Sequence, residues 1–145
     1  MQGWMMGSEA RLAHRSRLLV SIQGDVAVAY CYGTLDRAVV EDLGERARAL
    51  TLDGVRGLVC SLERVSHIHF QALDSLLDLQ QVMDAAGGQL LLAGASPYLR
   101  QILDFGGVPA NVPVLPASAI AMEQLLHGTQ GSDELVSANI QQNFF

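Results

Sequence analysis

The chain is poor in the residues that mark several classes of protein. Only two cysteines occur in 145 residues, so no disulfide framework holds it together. Cys31 and Cys60 lie in the apolar runs "VAVAYCYG" and "GLVCSL". Buried free thiols are the expectation, with a disulfide between neighbouring strands as the alternative. No apolar run approaches the length of a membrane-spanning helix. The first residues, "MQGWMMGSEARLAHRSR", lack the apolar stretch and cleavage site of a secretory leader. A soluble, cytoplasmic protein without direct membrane insertion is therefore expected. Charged residues make up only 17%, with 9 Lys and Arg against 15 Asp and Glu, for a formal charge of -6. That balance argues against nucleic acid and anionic membrane surfaces as partners. There is no Gly-rich phosphate loop, no nucleophile elbow and no metal-ligand spacing. No catalytic residue, cofactor or metal is expected, and the chain reads as something other than an enzyme.

What is there points to one domain. Half of the residues are hydrophobic, which excludes global disorder, and a chain of this length buries its own core. "RLLVSIQ" (17–23) and "VAVAYCYG" (26–33) read as strands joined by a Gly24-Asp25 turn. Alternation places Val26, Val28, Tyr30 and Tyr32 on one face, and Ala27, Ala29 and Cys31 on the other. Val40, Leu43, Ala47 and Leu50 repeat at steps of three and four, which predicts a helix over 37–51 with Asp42 and Arg46 paired on its wet side. "GLVCSLERV" (57–65) is the next strand. Ala72, Leu76, Leu79, Met83 and Ala86 stripe a second helix over about 70–86, and Gly87-Gly88 stops it. "QLLLAGAS" (89–96) is nearly apolar throughout, as befits a strand covered on both faces. Ser96-Pro97 opens a third helix that runs to Phe105. "VPVLP" (112–116) suits an edge strand, and Ser118 caps a fourth helix over 119–127. The order β-β-α-β-α-β-α-β-α predicts an α/β fold, a mixed sheet of about five strands with about four helices. Residues 1–16 are assigned to an extension, 17–127 to the domain and 128–145 to a tail.

This order, carried by "VAVAYCYGTLD", "GVRGLVCSLERVSHI", "LLDLQQVMDAAGGQLLLAGASPYLRQIL" and a closing "SAIAMEQLL", resembles the STAS family. That family includes bacterial anti-sigma factor antagonists and the cytoplasmic domains of sulfate transporters. The resemblance covers roughly residues 17–127 and leaves both tails outside. In the family's antagonists, the strand before the second helix is followed by Asp-Ser-Ser-Gly-Leu. A kinase that is also the anti-sigma factor phosphorylates the second serine, and the unphosphorylated form binds that kinase and releases the sigma factor. A phosphate at a helix N-terminus meets free amide hydrogens and the positive end of the dipole. It also adds roughly two negative charges to a contact surface. Aligned without gaps, Ile68-His69-Phe70-Gln71-Ala72-Leu73 falls on Ile-Asp-Ser-Ser-Gly-Leu. Gln71 takes the phosphoacceptor position, and neither it nor His69, Phe70 or Ala72 carries a hydroxyl. The resemblance thus implies a non-catalytic protein–protein interaction module, of a transcription-regulating or signalling type, that lacks the usual phospho-switch at this site.

The stretch "VSHIHFQALDSLLDLQ" is also odd as a helix start, because starts favour Ser, Thr, Asp or Asn. The partner-binding residues implied by the resemblance are Thr34, Asp36, His67, His69, Phe70 and Gln71. Asp36, in "GTLD", matches an acidic loop position near the family's partner-binding edge, and it equally suits a helix N-cap. His67 and His69 form an H-x-H pair with no third ligand at recognisable spacing, so they read as loop or contact residues. Phe70 either anchors a partner or folds back onto the domain. Gln71 either mimics an unphosphorylated polar side chain or is an ordinary surface residue. Ser66 is a cap if the helix starts early, and Ser75 sits mid-helix. The partner expected is an anti-sigma factor of the serine-kinase type or another STAS protein. The second reading is a subunit or scaffold of a larger signalling or transporter assembly. It would homo-oligomerise through apolar residues of the tails: Leu135, Val136, Ile140, Phe144 and Phe145, with Trp4, Met5 and Met6.

Overall fold

Two strands and a tight turn start the domain. β1 (Leu18–Gln23) and β2 (Val26–Leu35) pair antiparallel around Gly24, whose φ of 64° is the left-handed conformation such a turn requires. β3 (Gly57–Ile68), β4 (Gln89–Ala93) and β5 (Val114–Leu115) then add in sequence order, each parallel to the one before, giving a mixed sheet β1-β2-β3-β4-β5. The helices are α1 (Arg37–Leu52), α2 (Phe70–Ala85), α3 (Pro97–Phe105) and α4 (Ser118–Gly131), with one 3-10 turn at Val108–Ala110. This computed structural model describes residues 18–131, so the expectations for Trp4, Met5, Met6 and for Leu135 to Phe145 lie outside the described residues. The predicted order of elements and the fold class hold.

The two faces of the sheet bury different residues, as the alternation requires. Ala27, Ala29, Cys31, Leu58, Cys60, Leu62, Leu90 and Leu92 face α1, α2 and α3, and meet Val40, Leu43, Leu76, Leu79, Leu99 and Leu103. Val26, Val28, Val59, Leu91 and Ala93 face α4 through Ala121 and Leu125. Each wholly buried leucine in these layers contributes about 2 kcal/mol. The thiols of Cys31 and Cys60 are free and buried, 3.6 Å apart across β2 and β3. The Cys60 thiol is pushed well above its ordinary range by its hydrogen bond with Cys31, by burial and by the neighbouring thiol's charge. Both cysteines thus pack as small hydrophobes.

Some details differ from the sequence reading. β4 stops at Ala93 rather than at residue 96, β5 is only Val114–Leu115, and α4 continues to Gly131. β2 and β3 run further than expected, to Leu35 and Ile68, because Thr34 pairs with His67 and Leu35 with Ile68. His67 is therefore a strand residue rather than a loop residue. Between Tyr30 and Tyr32, and again between Gly33 and Thr34, β3 carries one residue more than β2, so the bulges lie in β3, while β2 keeps its alternation and Leu35 joins the core layer of Cys31. α4 is not capped by Ser118, which is its first helical residue. The Glu63 carboxylate accepts from the Ser118 amide at 3.1 Å and from its hydroxyl at 3.1 Å, placing a negative charge on the helix start. Gly94 leaves room for this carboxylate: a Cβ there would sit 2.1 Å from Glu63 Cγ.

Candidate functional site

Three parallel strands deliver three helix starts to one edge of the sheet. Asp36 caps α1, its Oδ1 accepting from the Val39 amide at 2.9 Å. Ser96 caps α3 through the Leu99 amide at 3.2 Å. Between them His69 caps α2: its Nδ1 accepts from the Gln71 amide at 3.3 Å. The imidazole does by a ring nitrogen what a carboxylate or hydroxyl oxygen does elsewhere. Ser66 does not cap this helix; its hydroxyl donates instead to the Gly33 carbonyl at 3.3 Å. The His69 amide donates to the Leu35 carbonyl at 2.9 Å, tying the α2 start to the end of β2.

The residues singled out in the sequence gather along this edge. Thr34 and His67 are register partners on β2 and β3, and Asp36 follows one residue beyond β2. Phe70 does not fold back onto the domain: it opens α2 with 67% of its surface exposed. Its ring stacks on His69 with centroids 5.0 Å apart. Gln71, the next residue, is exposed in the first turn of the helix. One edge residue escaped the sequence reading. Tyr98, half exposed in the first turn of α3, bonds His67 Nδ1 through its hydroxyl at 2.7 Å and stacks on its ring at 5.9 Å. The signal for it was present: Ser96-Pro97 marks a helix start, and every such start after a parallel strand lies on this edge.

The two histidines are held by neighbours along the edge. Each histidine has one ring nitrogen committed within the edge, to Tyr98 or to Gln71. Among the described residues no group of three or more His, Cys, Asp or Glu sits so as to hold a metal ion. Substituting the cap tests the local account directly. His69→Asp supplies a better cap and a negative charge at a helix N-terminus, and is expected to stabilise the domain by about 0.5–1 kcal/mol. His69→Ala is expected to cost about as much, and thermal unfolding of the two variants reads both.

A five-stranded mixed sheet with three helices on one face, a fourth on the other and an exposed helix start after β3 defines a class of small α/β domains. The STAS domain profile matches residues 17–121, and the chain belongs to that family. No curated protein matches it by sequence. Among solved structures it is similar to the anti-sigma factor antagonist SpoIIAA of Bacillus, known in unphosphorylated and phosphorylated forms. The unphosphorylated form is 19% identical with a TM-score of 0.60, over 77% of this chain and 98% of that one. An anti-sigma factor antagonist from Mycobacterium paratuberculosis is 20% identical with a TM-score of 0.64, over 75% of this chain and 92% of that one. The murine anion transporter Slc26a9 is 18% identical with a TM-score of 0.57, over 73% of this chain but only 18% of that one. At these identities the likeness is one of fold. Among the described residues no helix is long and apolar enough to cross a membrane.

Proposed function

We propose that this chain is a non-catalytic, cytoplasmic interaction module of the anti-sigma factor antagonist type whose binding is not governed by phosphorylation at the start of α2. The observation that carries the reading is the exposed Phe70–Gln71 pair in the first turn of α2, with no hydroxyl at the phosphoacceptor-equivalent position. Thr34, Asp36, His67 and His69 frame that pair on the same edge, and Tyr98 joins them. An exposed aromatic among polar groups is the composition of an interface anchor. The partner is an anti-sigma factor of the serine-kinase type or another STAS protein. Its capture depends on shape and on the partner's own state. The domain proper is taken as residues 17–127, with α4 continuing to Gly131 beyond that boundary. The test is intact-mass and peptide mapping of the full chain after incubation with ATP and the captured partner. No phosphate is expected between Val65 and Leu73, and phosphate found there sinks the reading.

A scaffold or subunit role in a signalling or transporter assembly is the second reading. One observation favours it: β1 is an edge strand, and Leu19 and Ile22 on it are each 55% exposed. Light scattering on the eluting full chain separates the two, since a tail-dependent oligomer belongs to the scaffold and a monomer to the binder.

A further inference from the structure

α1 and α2 lie side by side over the sheet and leave a trough between them on the outer surface. Three hollows of about 280, 320 and 750 Å³ follow one another along it, and Asp78 lines all three. Glu41 and Ser75 line the first two, and Arg48 and Val82 the last two. The hollows are therefore one continuous groove. It starts at Phe70 and Gln71 on the edge described above and ends at Leu52, which is 88% exposed. With α1 as its wall the groove is about 24 Å long, since sixteen residues rise 1.5 Å each.

The groove is acidic, and it holds an unsatisfied hydroxyl. Glu45, Asp74 and Asp78 make no ion pair among the described residues, while Arg37 is closed on Glu41 at 2.8 Å and Arg48 is the remaining cation. Ser75 is only 9% exposed, lines two of the hollows and has no hydrogen-bond partner among the described residues. A buried hydroxyl without a partner is rare in a folded protein. Opposite it Gly44 keeps the floor open: a Cβ there would meet nothing within 4 Å. The groove is too long for a single side chain, its carboxylates repel phosphate-bearing ligands, and its two ends are apolar.

We propose that the trough between α1 and α2 receives a basic segment of a partner protein. An arginine or lysine side chain of that segment is seated between the Ser75 hydroxyl, which accepts from it, and the Asp78 carboxylate. Apolar residues of the segment cover Phe70 and Leu52. This extends the reading given above, because Phe70 and Gln71 border both surfaces.

The test is fluorescence anisotropy of the full chain with a dye-labelled peptide of about sixteen residues, bearing arginine at every fourth position and apolar ends. Its twin with glutamine in place of arginine is the reference. Binding at least about 10-fold tighter for the arginine peptide is expected, weakened about 10-fold by Asp78→Lys and about 3-fold by Ser75→Ala. Gly44→Ala is expected to weaken it while leaving the melting temperature equal or higher, because alanine favours a helix and has room. Glu123→Lys on α4 reverses the same charge on the opposite face and is expected to leave binding unchanged. Equal losses for Asp78→Lys and Glu123→Lys, or equal binding of the two peptides, overturn the proposal. So does a gain of about 10-fold when residues 1–17, which carry Arg11, Arg15 and Arg17, are deleted, since the chain itself would then supply the occupant. Partner capture separates the two readings. If Phe70→Asp abolishes capture while the trough variants alter neither capture nor peptide binding, only the trough proposal falls. If the trough variants abolish capture and Phe70→Asp does not, only the edge reading falls.

Discussion

Gly88→Val is expected to lower the melting temperature by about 10 °C, and Gly87→Ala, one residue earlier, by only about 4 °C. The two glycines follow α2 and look alike in sequence. Gly87 has φ 77°, and a Cβ on it would meet nothing within 4 Å. Its cost is conformational, about 1 kcal/mol. Gly88 has an ordinary backbone, but a Cβ on it would sit 2.3 Å from the Arg56 carbonyl oxygen and 3.0 Å from Met83 Cε. That oxygen accepts from the Gln89 amide at 2.8 Å, the bond that starts β4 beside β3. Moving it forces a main-chain shift and loses the bond, about 3 kcal/mol together. Calorimetric unfolding of both variants decides the matter. Equal falls would show that backbone conformation dominates at both positions, and an unchanged Gly88→Val would show that β4 tolerates a displaced start.

Much of this fold is legible in the sequence because its signals are local. Ala27, Ala29 and Cys31 alternate with Val26 and Val28 over a few residues, and that spacing alone assigns them to opposite faces. Ser96-Pro97 announces α3 without help from the rest of the chain. What escaped depends on partners far away. The extra residues of β3 exist because Thr34 and Leu35 pair with His67 and Ile68, more than thirty positions on. The α4 cap comes from Glu63, 55 residues before Ser118. His69 as a cap was hidden for a different reason: imidazole is uncommon in that role, and only the orientation of its ring shows that Nδ1 faces the Gln71 amide. Of the site, the starts of α1 at Asp36 and of α3 at Ser96 could be placed from the pattern, while the strand ends and the exposure of Phe70 could not. The His67–Tyr98 contact could not, since it joins two strand-to-helix turns that meet only in the folded sheet.

Phe70→Asp is expected to weaken partner binding by about 30- to 100-fold, roughly 2–3 kcal/mol, with thermal stability unchanged within about 0.5 kcal/mol. The ring is 67% exposed, so its loss removes little from the core. It is nonetheless held in place: stacked on His69 at 5.0 Å, on a residue whose other edge is engaged with the Gln71 amide. A ring already ordered in the free protein loses less conformational entropy on binding than a mobile one. A carboxylate in its place adds charge to a contact that must lose water, the same physical insult that a phosphate delivers in a phosphorylated antagonist. Exposure alone is not the criterion. Phe105, at the far end of α3, is 89% exposed, and Phe105→Asp is expected to change binding by no more than about 3-fold because it lies away from the edge where the helix starts converge. Calorimetric titration of the captured partner with both variants, beside their unfolding curves, gives the comparison. Retained affinity in Phe70→Asp, or a loss in Phe105→Asp as large as its own, would mean that the partner meets some other surface.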